Sequence, residues 1–507
     1  MLALILSMRK STITAMAAIG FCLAGMAHAT DDRNLLKVAA SSFPENWGNP
    51  FSSVSITRLP VQFAVFDPLT RVGAGGVLKP WLAQSWAQSG PLTWQITLRP
   101  DVVFSNGEAF DASAVETAIT YVLSPQGRAE PVGRELSDIE SARVVNERVV
   151  EIRTRRPDPL LPYRLSLLSV PAPAQWKKLG REDFAKQPVG TGPLMLESAA
   201  MNRIRMKAAP SSWRKPAISG VDFLIAVDPT SRRAALSTGA ADVGFSTVAP
   251  SDFAAFEAEG GRVVLDRVSA VVAVAFNTQK FAAFQDPRVR RALTMAVNRQ
   301  AIVDAIMGGK TIVASQPAAR DWFGYNPNVS PLPYDPEQAR ALLREAGFEK
   351  GLAFEMEFPS GAVMYPDVFQ TVAADLARIG VNMTVRMIPQ QKLFENVQTG
   401  AWAGQAAAIP FASQVFDALY PQRQHTCLWH APWFCDRDFT TQVEQAFGAA
   451  DLNQRREQTQ ALMARAHDIA QAMYLYETVS FIGLSARVKE FSVDFGMVAY
   501  EDVRLRD

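Results

Sequence analysis

Trp94, Ile96 and Leu98 alternate with Gln95 and Thr97, directly after the turn Ser89-Gly90-Pro91. A period of two predicts a half-buried strand. The period then changes. Asp111 stands where a helix N-cap belongs, and Val115, Ala118, Ile119 and Val122 behind it fall on one helical face. Asp286-Pro287 supplies a second cap and a first-turn proline, followed by a stripe of Val289, Leu293, Ala296 and Val297. A third start is Asp335-Pro336, with Gln338 three residues after the cap. Ala339, Leu342, Leu343 and Ala346 share one face, and Gly347 ends the helix. Phe369, Val372, Leu376 and Ile379 repeat that spacing up to Gly380. Val381, Met383, Val385 and Met387 then alternate with Asn382, Thr384 and Arg386. Helix, glycine, strand is an α/β unit, and its recurrence predicts an α/β or mixed α+β fold.

The extreme N-terminus follows a different rule. Arg9 and Lys10 precede an apolar stretch from Ile13 to Met26, which ends in Ala27-His28-Ala29. This order predicts a cleavable secretory signal over residues 1–29 and a periplasmic destination. About 14 apolar residues at 1.5 Å rise fall short of a roughly 30 Å hydrocarbon core. Phe21 before Cys22 is not the small residue that a lipid-anchor site requires.

Cleavage there leaves 478 residues, with 49 of the 51 basic residues against 50 acidic ones, a net charge of −1. Near-neutrality gives no electrostatic ground for a nucleic-acid partner. The length exceeds one ordinary domain and predicts two large lobes. Cys427 and Cys435 lie eight apart, and in an exported chain a disulfide is the expectation. With His425 and His430 the same stretch reads H-x-C-x2-H-x4-C, which could alternatively hold a soft metal.

Catalytic patterns are missing. Three histidines remain after cleavage, His425, His430 and His467, and neither a G-x-S-x-G elbow nor an H-E-x-x-H helix occurs. Gly308-Gly309-Lys310-Thr311 ends like a phosphate loop, but residue 304 is Asp where the first glycine would stand, so a helix-terminating turn is expected. Gly73-Ala74-Gly75-Gly76 lacks the third glycine of a dinucleotide fingerprint and also reads as a turn. No enzyme activity and no cofactor are implied; a secreted hydrolase is the rival of another class. A large exported chain of this kind suits a binder with a cleft between lobes.

Six stretches, in order, resemble the bacterial extracellular solute-binding proteins of family 5, the receptors of ABC importers for peptides, nickel and opines. They are Phe66-Asp67-Pro68-Leu69-Thr70, Lys79 to Trp86, Val103 to Asp111, Pro188-Val189-Gly190-Thr191-Gly192-Pro193, Asp286 to Leu293, and Tyr334 to Ala339. The resemblance implies a two-lobed periplasmic-binding-protein type II-like fold. Lobe I is expected over 30–270 plus 484–507, with an inserted subdomain at about 66–184, and lobe II over 271–483. The chain should cross between lobes at Val271–Asn277 and return near Glu477–Ser480. Partners implied are a peptide or other small solute and the permease subunits of an importer, with the receptor itself a monomer.

Peptide-binding relatives hold the α-ammonium with an aspartate; the corresponding stretch here, Ala406 to Gln414, contains no acid. Pro410, Phe411, Ser413 and Gln414 are its candidate ligand contacts. Nickel-binding relatives place a histidine downstream and arginines in the first lobe, which points to His425, Arg128 and Arg134. An opine is the third option. Phe43 and Trp47, in the aromatic loop after Leu36–Ala40, are candidates for stacking at the cleft mouth. The tight turn expected at Pro188–Pro193 is ascribed to Gly190 and Gly192.

Overall fold

The computed structural model of the protein describes residues 32–43, 46–54, 59–360 and 366–506. The expected signal, 1–29, lies outside them. Eleven strands join in one sheet, and a separate antiparallel sheet of four lies in the stretch from Ala83 to Thr154. In that smaller sheet the strand Thr93–Leu98 buries Trp94, Ile96 and Leu98, as the alternation requires. Helix Ala112–Leu123 covers it and is capped by the Asp111 carboxylate, which accepts from the N–H groups of Ser113 and Ala114 at 2.9 and 3.1 Å.

Two long antiparallel strands, Arg262–Phe276 and Ala472–Leu484, carry the large sheet from one lobe to the other. Alternate side chains of the first enter different cores. Val272, Val274 and Phe276 join one apolar cluster, and Val271, Ala273 and Ala275 join another on the opposite face. Burial on both faces explains why this segment reads as a continuous apolar run. A third cluster fills the first lobe, from Leu36 to Val243 and again from Ile482 to Val503. The pairing breaks in the middle of the crossing. Arg267 faces Val479, but the next pair is Val271 with Glu477, so three residues stand opposite Thr478 alone. Such a bulge interrupts the hydrogen-bond ladder where the two lobes meet.

The helix starts follow the sequence pattern. Asp286 caps Pro287–Met295, and Asp335 caps Pro336–Glu345 with its carboxylate 2.8 Å from the Gln338 N–H. The Asp335 N–H donates to the carbonyl of Met295, joining the two helices end to end. The strand Val381–Pro389 departs from simple alternation at its far end. Met387 is exposed and Ile388 is buried, because Ile388 belongs to the apolar cluster on the other face of the sheet, with Leu393 and Val397.

Several of the quoted stretches meet at one carboxylate. Asp67 is fully buried and accepts from Trp81 Nε1 at 2.8 Å, Thr191 Oγ1 at 2.9 Å, Trp213 Nε1 at 3.0 Å and the Arg214 guanidinium at 2.8 Å. Arg214 is held from its other side by Glu501 at 2.8 Å. The stretch around Ser105 ties in through its N–H to the carbonyl of Gly190 at 2.9 Å. A Cβ on Gly190 would lie 2.1 Å from the carbonyl of Val65, and one on Gly192 2.6 Å from that of Ala64. Neither glycine has a positive φ. Their role is therefore close backbone approach, which corrects the expectation of a turn conformation.

Candidate functional site

The lobes touch along a seam with four kinds of contact. Val72 and Leu78 of the first lobe pack on the second lobe's core. The Tyr420 hydroxyl donates to the Glu135 carboxylate, and Arg423 lies 3.8 Å from Asp138. Burial and the neighbouring carboxylate push the Tyr420 phenol up, so it stays a donor. Gly76 presses so closely on Asp321 that a Cβ would fall 1.7 Å from its carbonyl oxygen. Finally, Phe495 meets Phe416 edge-on at 4.4 Å.

Within the seam lies a cavity of about 30 Å³, room for one or two waters. Ser53, Gln62, Ser166 and Ser169 line it from the first lobe, and Ser413, Gln414 and Phe416 from the second. Phe495 and Met497, from the C-terminal hairpin Val493–Val498, complete the wall. No lining residue among those described is charged. Gln62 uses its amide N–H on the carbonyl of Asn49 at 3.1 Å, and Ser166 donates to that of Tyr163 at 2.6 Å. The side chains of Ser169 and Gln414, one from each lobe, have no hydrogen-bond partner among the described residues.

Two carboxylates adjoin this wall in sequence, Asp417 after Phe416 and Asp494 before Phe495. Asp417 sits in a loop bridged to Phe323. It is buried against Arg455 at 2.7 Å and accepts the Leu419 N–H at 3.0 Å, so its charge is neutralised inside the lobe.

Of the residues that sequence reasoning singled out, Ser413 and Gln414 line the cavity. Phe411 lies just behind, fully buried, with the His425 ring stacked on it at 3.7 Å and Trp433 edge-on to His425 at 5.0 Å. His425 bonds the carbonyl of Pro410, and burial lowers its pKa to about 3, leaving a neutral imidazole whose Nε2 has no partner. Phe43 and Trp47 pack on the first lobe's core: Phe43 is edge-on to Phe223, and Trp47 borders a separate open groove of about 880 Å³. Arg128 and Arg134 are exposed and donate to the carbonyls of Leu123 and Ala129, outside the cavity wall. Cys427 and Cys435 form a disulfide. Among the described residues no group of three His, Cys, Asp or Glu could hold a metal ion.

Sequence reasoning missed Ser53, Gln62, Ser166, Ser169, Phe495 and Met497. Serines and glutamines carry no motif, and these come from chain segments hundreds of residues apart.

The model of the bacterial extracellular solute-binding proteins, family 5 (middle), matches residues 77–421. The nickel-binding periplasmic protein of Escherichia coli is 28% identical over 83% of this chain and 84% of its own. The dipeptide-binding protein of the same organism is 25% identical over 99% of both. The DppA periplasmic binding protein of Helicobacter pylori, solved with the peptide STSA, has the same fold: its TM-score is 0.75 at 19% identity, covering 93% of this chain and 98% of its own. The seam, the crossing strands and the extended match together lead to one conclusion: this chain belongs to the bacterial extracellular solute-binding proteins of family 5.

Proposed function

We propose that the protein is a periplasmic receptor that captures a peptide or peptide-like solute between its lobes and delivers it to the permease of an ABC importer. The two lobes follow the crossing strands: lobe I over 30–270 and 484–507, with the inserted subdomain at about 66–184, and lobe II over 271–483. The carrying observation is the pair Ser169 and Gln414, polar side chains from opposite lobes that face one cavity without a hydrogen-bond partner among the described residues. Unpaired polar groups at a closing seam are suited to amide and hydroxyl groups of a ligand. A free α-ammonium would find no carboxylate among the described lining residues; of the two that adjoin them, Asp417 is engaged by Arg455 and Asp494 lies beside Phe495 outside the lining. The solute is therefore one recognised through neutral polar groups, as in a peptide body or an opine-like amino-acid derivative. The role is binding and delivery, without turnover, by a freely diffusing monomer released after signal cleavage.

A second reading, capture of a nickel chelate, has one observation in its favour: the neutral imidazole of His425 with its free Nε2. His425 is 2% exposed and is not part of the cavity wall, so this cargo requires Phe411 to move first. Mass spectrometry of solutes released from the purified protein, with elemental analysis of the same sample, separates the two. An organic solute without metal fits the first reading; stoichiometric nickel that disappears in His425→Ala fits the second.

A further inference from the structure

Two chambers share one lining side chain, Phe495. On one side of Phe495 is the neutral seam cavity of about 30 Å³. On the other is a cavity of about 240 Å³ beside the crossing strands, lined by Arg267, Lys310, Arg320, Asp321 and Glu477, with Phe495 again in its wall. Either chamber is smaller than the roughly 300–1,000 Å³ of ordinary small-molecule sites, and joined they approach its lower end.

Phe495 is held in place against resistance. Its φ is +51°, in the left-handed region that a non-glycine side chain rarely occupies, and Gly496 follows at +79°. The hairpin is short, two residues per strand. What fixes its tip is Asp266, 3% exposed, on the crossing strand just before the pairing breaks. Its carboxyl accepts the Gly496 N–H at 2.9 Å and also bonds the N–H of Phe495. The ring of Phe495 in turn rests on Phe416 of the other lobe.

We propose that Phe495 is a specificity-determining partition of the ligand cleft, and that Asp266 is the positioning residue that keeps it closed. With the ring in place only the small end group of a neutral solute fits the seam chamber. With the ring displaced, the chambers join and admit an elongated solute whose neutral body lies at the seam. Its charged end reaches the hinge chamber, where Arg267 pairs with Asp321 and Arg320 with Glu477, while Lys310 is exposed and has no partner among the described residues.

The inference rests on the seam being the ligand site, so its test has two separate readouts. Crystal structures of Phe495→Ala and of the volume-conserving Phe495→Leu report whether the chambers join. Titration calorimetry with alanine peptides of two to five residues reports the length profile. Phe495→Ala should show one continuous cavity and bind the longest peptides about tenfold or more tighter than the native protein, a shift of about 1.4 kcal/mol. Phe495→Leu should keep the native profile. Asp266→Asn retains a carbonyl acceptor for Gly496 and should also keep it, whereas Asp266→Ala should shift it toward that of Phe495→Ala. Chambers that stay separate in a folded Phe495→Ala, or an unchanged length profile, would overturn the proposal. If no peptide binds either protein, the receptor reading fails, while the crystal structure still decides the partition.

Discussion

Replacing Asp67 with asparagine removes a charge shared by four donors from separate stretches of the first lobe. The magnitude follows from the geometry. Trp81 and Arg214 bond one carboxylate oxygen, and Thr191 and Trp213 bond the other. An amide has one oxygen: in one orientation its NH₂ faces Trp81 and Arg214, which both lose their acceptor, and in the other Trp213 loses its own, while the Thr191 hydroxyl can turn and accept. Each orphaned buried donor costs about 1–3 kcal/mol, and the loss of one carboxylate beside a buried arginine adds to that. Arg214 retains Glu501 and the carbonyl of Phe63, which limits the damage. The expected loss is about 3–5 kcal/mol, within reach of the total stability of a typical domain. Urea unfolding followed by tryptophan fluorescence measures it, since Trp81 and Trp213 belong to the node itself. A loss below about 1 kcal/mol would refute the claim that these motifs are joined by Asp67.

Other substitutions test other parts of the account. Burial raises the Asp266 pKa from 3.8 to about 7. The folded state then holds a proton that the unfolded chain releases, so this residue's contribution is full below pH 4 and lost as pH rises through about 7; on the order of 4 kcal/mol is at stake. Subtracting the pH–stability curve of Asp266→Asn from that of the native protein should expose this fall, and a flat difference would contradict it. His425 has the opposite sign: its lowered pKa makes stability decline as pH falls from 6.5 toward 3, and its imidazole NMR shifts should stay constant between pH 5 and 8. Gly76→Ala places a methyl against the Asp321 carbonyl at a φ of +68°, and should weaken solute affinity through the closed form by about 1–3 kcal/mol while also lowering the unfolding midpoint of the solute-free protein. Opening the Cys427–Cys435 disulfide, separated by eight residues, should cost about 2–3 kcal/mol in denaturant titrations with and without reductant.

Local features were legible in the chain, and long-range ones were not. The caps at Asp111, Asp286 and Asp335 are written within three residues of the N–H groups they satisfy. The apolar run from Val271 betrays its double burial for the same local reason. The site is another matter. Ser169 and Gln414 meet across the seam, and Gly496 reaches a carboxylate 230 positions away. Nothing in their neighbours announces those meetings. Arg128 and Arg134 illustrate the converse: an arginine looks alike in sequence whether it reaches a cleft or caps a helix end, and these two end on main-chain carbonyls at the surface. The glycines of Pro188–Pro193 were recognisable as constrained, but only the fold shows that the constraint is the backbone at Ala64 and Val65.

The central claim is that a solute is bound between the lobes by Ser169 and Gln414. The most direct measurement is calorimetric titration of a peptide and opine panel into the native protein and into the double variant Ser169→Ala/Gln414→Ala. The account predicts saturable binding of at least one member by the native protein, weakened about tenfold or more in the double variant while its unfolding midpoint is kept. Equal affinity in both proteins, or no binding across the panel, would contradict it.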